Sequence, residues 1–153
     1  MGGYAYERVQ LLTALQNADV DHLVFLSTDT HAAFANRVRY RTLPDDVAPE
    51  NAPPQPRNTP YMDFTIGPVA SESFGDEIDR VTSRPGNGQL VAQAFFKPPP
   101  PNGTGMDCAQ LDQNSYAEVM VKRGTLSVEY KQADGSPVTD VDGTPCGPYV
   151  LTH

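Results

Sequence analysis

His22-Leu23-Val24-Phe25-Leu26-Ser27-Thr28-Asp29-Thr30-His31 is the stretch on which the reading of this chain turns. Leu23 to Leu26 is a short, unbroken apolar run, which predicts a strand buried on both faces. Before it, residues 4–18 carry Ala5, Val9, Leu12 and Leu15 at helical spacing, with Leu11 widening the stripe. Gly2 and Gly3 precede this helix, and Asn17-Ala18-Asp19 ends it. A helix followed by a buried strand is the order expected of a layered α/β fold. The strand ends in a polar cluster, Thr28-Asp29-Thr30-His31, and layered α/β folds place their ligands at that end of a strand.

Downstream, Phe34, Val38 and Tyr40 alternate partly with polar residues, which predicts a strand within residues 32–43. Residues 44–60 hold six prolines among polar neighbours and read as a loop. Tyr61-Met62-Asp63-Phe64-Thr65-Ile66 predicts a short strand, stopped by Pro68. Residues 71–81 suit a short acidic helix, residues 84–88 a turn, and residues 90–96 a strand or an irregular apolar segment. The four prolines at 98–101 predict a stiff spacer. Residues 116–122 and 125–130 both alternate, and Arg123-Gly124 between them fits a two-residue hairpin turn. Residues 134–147 are rich in Gly, Pro and Asp and predict a surface wrap. The pattern as a whole is mixed α/β, of the α+β kind.

The chain has 153 residues, 11 Lys+Arg against 19 Asp+Glu, and a formal charge of −8. An acidic chain without a basic run is ill-suited to clamping a nucleic-acid backbone. No apolar run approaches the ~18 residues of a membrane span. The opening residues have neither the basic nor the apolar part of a signal peptide. Cys108 and Cys146 leave two readings open: two free thiols, or one disulfide closing a loop and contributing about 4 kcal/mol.

Asp29 and His31 form the strongest constellation. In an extended segment, residues two apart share a side, so a carboxylate and an imidazole would face one point. That is half of a metal site, one hard oxygen and one borderline nitrogen; the alternative is a capped turn with an exposed imidazole. Partners are scarce, because the only other histidines are His22, before the strand, and His153, the last residue. A two-metal hydrolytic site needs more ligands than these. Other motifs fail: there is no nucleophile elbow, since Ser71-Glu72-Ser73-Phe74-Gly75 lacks its first glycine, and no phosphate-cradling glycine loop. Asp140-Val141-Asp142-Gly143 echoes a calcium loop but lacks the closing Glu, and reads as a turn.

Gly3-Tyr4, Glu7-Arg8, Leu11-Leu12, and then Val24 through Asp29-Thr30-His31-Ala32-Ala33-Phe34 resemble the late conserved segment of alkaline phosphatase D-type enzymes. These belong to the calcineurin-like metallophosphoesterase superfamily. Tyr61-Met62-Asp63-Phe64, the serine-bearing loop with Ser71 and Ser73, and the stretch Asn114-Ser115-Tyr116 to Tyr130 agree with it. Thr28 and Ser115 stand where that family has glycine. The resemblance implies a two-sheet β-sandwich flanked by helices, of which this chain supplies part. It implies metal-dependent hydrolysis of phosphate mono- or diesters, or of phospholipid head groups. Asp29 and His31 would be ligands in a two-metal site drawing on Fe, Ca, Zn or Mn. It further implies export to a periplasmic or extracellular space, and with it the Cys108–Cys146 disulfide.

The expected organisation is residues 1–131 as the C-terminal part of a phosphoesterase domain and residues 132–153 as a surface extension. The partners implied are a phosphate ester substrate and an upstream part of the same enzyme carrying the remaining ligands. The competing expectation is a non-catalytic acidic remnant or interaction module that uses the edge of the late hairpin.

Overall fold

The computed structural model describes residues 5–39, 58–100 and 102–152. Helix α1, Ala5–Asn17, forms where the helical period predicts it. It buries Val9 and Leu12 against Tyr61, with Leu15, Leu23, Phe25 and Val38 packed around them. Leu11, expected in the stripe, faces solvent at 52% exposure.

Strands β1 (Val24–Ser27), β2 (Ala33–Arg39), β3 (Asn58–Thr65) and β4 (Cys108–Gln110) form one sheet in the order β1-β3-β2-β4. β1 runs parallel to β3, while β2 is antiparallel to both β3 and β4. Contrary to the expectation of burial on both faces, Leu26 of β1 is 55% exposed, and among the described residues β1 pairs with β3 alone. A continuous apolar run cannot tell a central strand from an edge strand. Tyr40 and most of the proline-rich stretch fall outside the described residues. The remainder of that stretch, Asn58 to Pro60, is not loop but the start of β3.

Helix α2, Phe74–Thr82, begins at a Ser73–Asp76 capping box; each side chain there satisfies a backbone N–H of the other residue. Helix α3, Asn87–Val91, runs directly into a π-helical turn, Ala92–Phe96. That segment was expected as strand or irregular chain. Ala92 and Phe96 instead meet the sheet from one helical face, with the Phe96 ring 4.9 Å from that of Phe34. The Asn102 N–H donates to the Pro99 carbonyl, 3.1 Å.

Strands β5 (Tyr116–Lys122), β6 (Thr125–Lys131) and β7 (Tyr149–Thr152) make a second, antiparallel sheet in the order β5-β6-β7. Lys122 pairs with Thr125 across Arg123-Gly124, and Gly124 supplies the positive φ (73°) that the turn requires. The two sheets pack face to face. Ala33, Ala35, Met62 and Phe64 from the first meet Val128 and Tyr130 from the second. The Tyr130 hydroxyl donates across the layer to the Phe34 carbonyl, 2.6 Å. The fold is therefore an α+β two-sheet sandwich with helices on the outer face of the first sheet.

Residues 132–152 contribute to this core. Val138 and Cys146 are buried within it, and Cys146 is bonded to Cys108 of β4. Asp140 is buried too; its carboxylate accepts from the Ala109 and Val141 N–H groups and pairs with Lys97.

Candidate metal-site corner

Three layers of local structure position the loop after β1. First, Ser27 is locked to β3, because Ile66 N–H donates to the Ser27 carbonyl (2.8 Å) and Ser27 Oγ lies 2.9 Å from Thr65 Oγ1. Next, the backbone reverses hand twice, with φ 76° at Asp29 and 55° at His31. Such values are uncommon outside glycine and carry strain. Last, the loop is tied to the start of α2. The Phe74 N–H donates to the His31 carbonyl (2.8 Å), and His31 Nδ1 lies 2.7 Å from the Glu72 carbonyl oxygen. A carbonyl only accepts, so Nδ1 is the donor, and in the neutral ring Nε2 keeps its lone pair.

The extended geometry expected at 29–31 is not present. Two left-handed residues make the segment a bend, so the alternation argument for Asp29 and His31 sharing a side does not apply to it. Both side chains are exposed. Both residues lie in the bend that follows β1, and the Glu72 carbonyl tethers the His31 ring. Among the described residues, no group of three or more His, Cys, Asp or Glu side chains converges for a metal. His22 is exposed ahead of β1, and His153 lies outside the described residues.

A polar group that the sequence reading missed sits directly beneath the bend. Tyr61, Asp63 and Thr65 share one face of β3. The Asp63 carboxylate accepts from Ser27 Oγ (3.4 Å), Thr65 Oγ1 (3.3 Å) and Asn36 Nδ2 (3.5 Å). Burial pushes its carboxyl above the ordinary range, and the hydrogen bonds from Thr65 and Ser27 partly oppose this. The signal was a carboxylate on the polar face of an alternating strand, a face that the structure partly covers.

On the far side of the bend, Asp112 Oδ1, Gln113 Oε1 and Ser115 Oγ are buried without a hydrogen-bond partner. Ser115 Oγ fills the space over Gly67, where a Cβ would come within 2.7 Å of it and 3.3 Å of the Ala32 backbone. Burial raises the Asp112 carboxyl, with Asp79 and Asp76 adding to the shift and a hydrogen bond from Gln89 opposing it.

The sequence model of the family described as PhoD-like phosphatase matches residues 1–130. The chain belongs to the PhoD-like phosphatase family. Among curated proteins none matches it. A solved structure titled "Structure of PhoD" is similar over 95% of this chain, at 12% identity and a TM-score of 0.49. The alignment takes in 22% of that protein's length. Within this PhoD-like chain, the matched span runs from before α1 to the end of the late hairpin. It includes Asp29, His31, Asp63 and Ser115, but not Asp140 or Cys146.

Proposed function

We propose that this chain forms one corner of a metal centre that hydrolyses phosphate mono- or diesters, with the Asp29 carboxylate and His31 Nε2 as its two ligands. The observation that carries this reading is the His31 tether. A histidine that ligates metal through one nitrogen characteristically donates its other N–H to a carbonyl or carboxylate, which fixes tautomer and ring orientation. The Nδ1 contact to Glu72 is of that kind. The donor set, one carboxylate oxygen and one imidazole nitrogen on a strained, exposed bend, suits a divalent or trivalent ion.

When bound, two metal ions would offset the charge of the phosphoryl oxygens and lower the proton affinity of the attacking water. This chain's own residues hold and aim the ligands. Glu72 orients the imidazole, Phe74 and Ile66 pin the backbone on either side, and the Asp63 group anchors the end of β1. The remaining ligands come from an upstream part of the same enzyme. That β1 has one neighbour among the described residues, and that its core-side Leu26 is exposed, support that division. The Cys108–Cys146 bond supports an oxidising, exported setting, where disulfides persist.

Metal binding tests the assignment without requiring turnover. Titration of the chain with Zn²⁺ or Mn²⁺, followed on the His31 ring nitrogens by NMR, should perturb Nε2 while Nδ1 keeps its proton. Asp29→Ala should weaken that binding tenfold or more, by analogy with the loss of supporting contacts at metal sites. Equal affinity in Asp29→Ala, His31→Ala and the parent chain would overturn the ligand assignment.

A further inference from the structure

We infer that the free edge of β5 is a self-association surface, on which a second copy of this chain docks antiparallel to make a continuous six-stranded sheet. β5 pairs with β6 on one side, and no strand pairs with its other side among the described residues. An unpaired edge presents a row of unused N–H and C=O groups. This edge is also seven residues long and exposes apolar side chains on both faces. Val119 is 38%, Met120 43% and Val121 74% exposed. The opposite edge of the same sheet, β7, has only four residues.

The identity of the partner follows from the register. In a two-residue hairpin the pair flanking the turn, here Lys122 and Thr125, is the hydrogen-bonded one, and the pattern alternates from there. Ala117, Val119 and Val121 therefore turn their backbone groups outward. A two-fold axis through Met120 sets Val119 opposite Val121 of the second copy, two residues that both face outward, as an antiparallel ladder requires. The same register places Met120 against Met120 and Glu118 against Lys122, the charge pair occurring twice. A two-fold contact must be self-complementary, and this seven-residue strand is so in sequence: Glu-Val-Met-Val-Lys reads as opposite charges about an apolar centre. Shifting the axis to Val119 would place Glu118 against Met120 and lose both charge pairs. The net charge of −8 opposes association over distance, but physiological salt screens it beyond about 8 Å, so the contact pairs decide. A single strand edge is small for an interface, so the association is weak and dissociates on dilution.

Light scattering over a dilution series tests this on the intact oxidised chain. The parent should pass from twice its 16.6 kDa mass toward the monomer on dilution. Met120→Lys places like charges on the two-fold axis, and Lys122→Glu places Glu opposite Glu; each should be monomeric across the series. Glu118→Lys should also be monomeric alone, since it sets Lys opposite Lys. An equimolar mixture of the Lys122→Glu and Glu118→Lys chains restores both charge pairs and should dimerise. Circular dichroism of each variant establishes folding, and the Met120→Lys result stands even if Glu118→Lys, which gives up its own-chain pair with Lys131, does not fold. A parent chain that is monomeric throughout, or a dimer that survives Met120→Lys, would overturn the inference and leave this edge to another segment or protein. A mixture that stays monomeric while the parent dimerises would overturn the Met120-centred register.

Discussion

Breaking the Cys108–Cys146 bond should remove a large share of this chain's stability. The bond joins two different parts of the sandwich. Cys108 lies in β4 of the first sheet, paired with Ala35. Cys146 is held to the second sheet, where its N–H donates to the Val138 carbonyl (2.8 Å) and its carbonyl accepts from Tyr130 (3.3 Å). The two residues are 38 positions apart. In the chain-entropy model a closed loop of that length lowers unfolded-state entropy by about 13 cal/mol/K, or about 4 kcal/mol at 25 °C. Domains of this size are stable by roughly 5–15 kcal/mol, so reduction should leave a protein near the edge of folding. The assay is urea unfolding of the oxidised chain, the reduced chain and the Cys108→Ala/Cys146→Ala double variant. The midpoint should fall in both of the latter. The slope against urea should rise, because an unfolded chain freed of its cross-link exposes more surface. A loss below about 1 kcal/mol in both would refute the reasoning, since it would mean that the unfolded chain is already held compact without the bond.

Replacing Ser115 by Ala removes a buried hydroxyl that has no partner, and should raise stability by about 1 kcal/mol; a lower melting temperature would show that the hydroxyl makes a favourable contact. Tyr130→Phe deletes the 2.6 Å hydrogen bond between the two layers and should cost about 1–2 kcal/mol in urea unfolding, whereas no loss would mean that the Phe34 carbonyl is equally well satisfied without it. Asp63 is raised by burial, so the native state holds its proton more tightly than the unfolded state. Its contribution is therefore fully present below the ordinary carboxylate range and is lost as pH rises through the elevated native value. Asp63→Asn should flatten the stability–pH profile in that window, and parallel profiles for the two proteins would count against a desolvated carboxylate.

Local signals made α1 and the late hairpin legible. Val9, Leu12 and Leu15 keep one face, and Arg123-Gly124 admits one tight turn with the register that is observed. What was misread depended on neighbours far away in the chain. The apolar run at 23–26 says nothing about whether β1 has one partner or two; among the described residues it pairs with β3 alone, and Leu26 is exposed. Residues 90–96 lack period-two alternation, yet only the presence of Phe34 opposite Phe96 decides for a helix. At the candidate site the residue types were readable and the geometry was not. Asp and His enter the left-handed region more readily than most residues but far less than glycine, too weak a signal to displace the extended reading of 29–31. Asp63 was passed over because a carboxylate in a strand becomes informative only once Ser27, Asn36 and Thr65 surround it. The Cys108–Cys146 pairing was favoured only through the family resemblance, because spacing alone left free thiols equally open.

The bend at Asp29 and His31 bears on whether that pair is a ligand set or an ordinary turn. Each left-handed non-glycine residue costs on the order of 1–2 kcal/mol. Glycine or asparagine would relieve most of that cost if the loop only had to reverse direction. The strain is held in place by the Ile66 and Phe74 backbone hydrogen bonds and the Glu72–His31 contact, each contributing about 1 kcal/mol net. Together these roughly balance the cost, so the bend adds little stability of its own. An exposed side-chain pair at such positions is not core packing. The proposed ligand role is compatible with the bent backbone and the oriented imidazole, and the separate losses expected from Asp29→Ala and His31→Ala follow from that proposal. If instead both substitutions to glycine stabilised the chain and left metal affinity unchanged, the bend would be a turn with unfavourable residues in it.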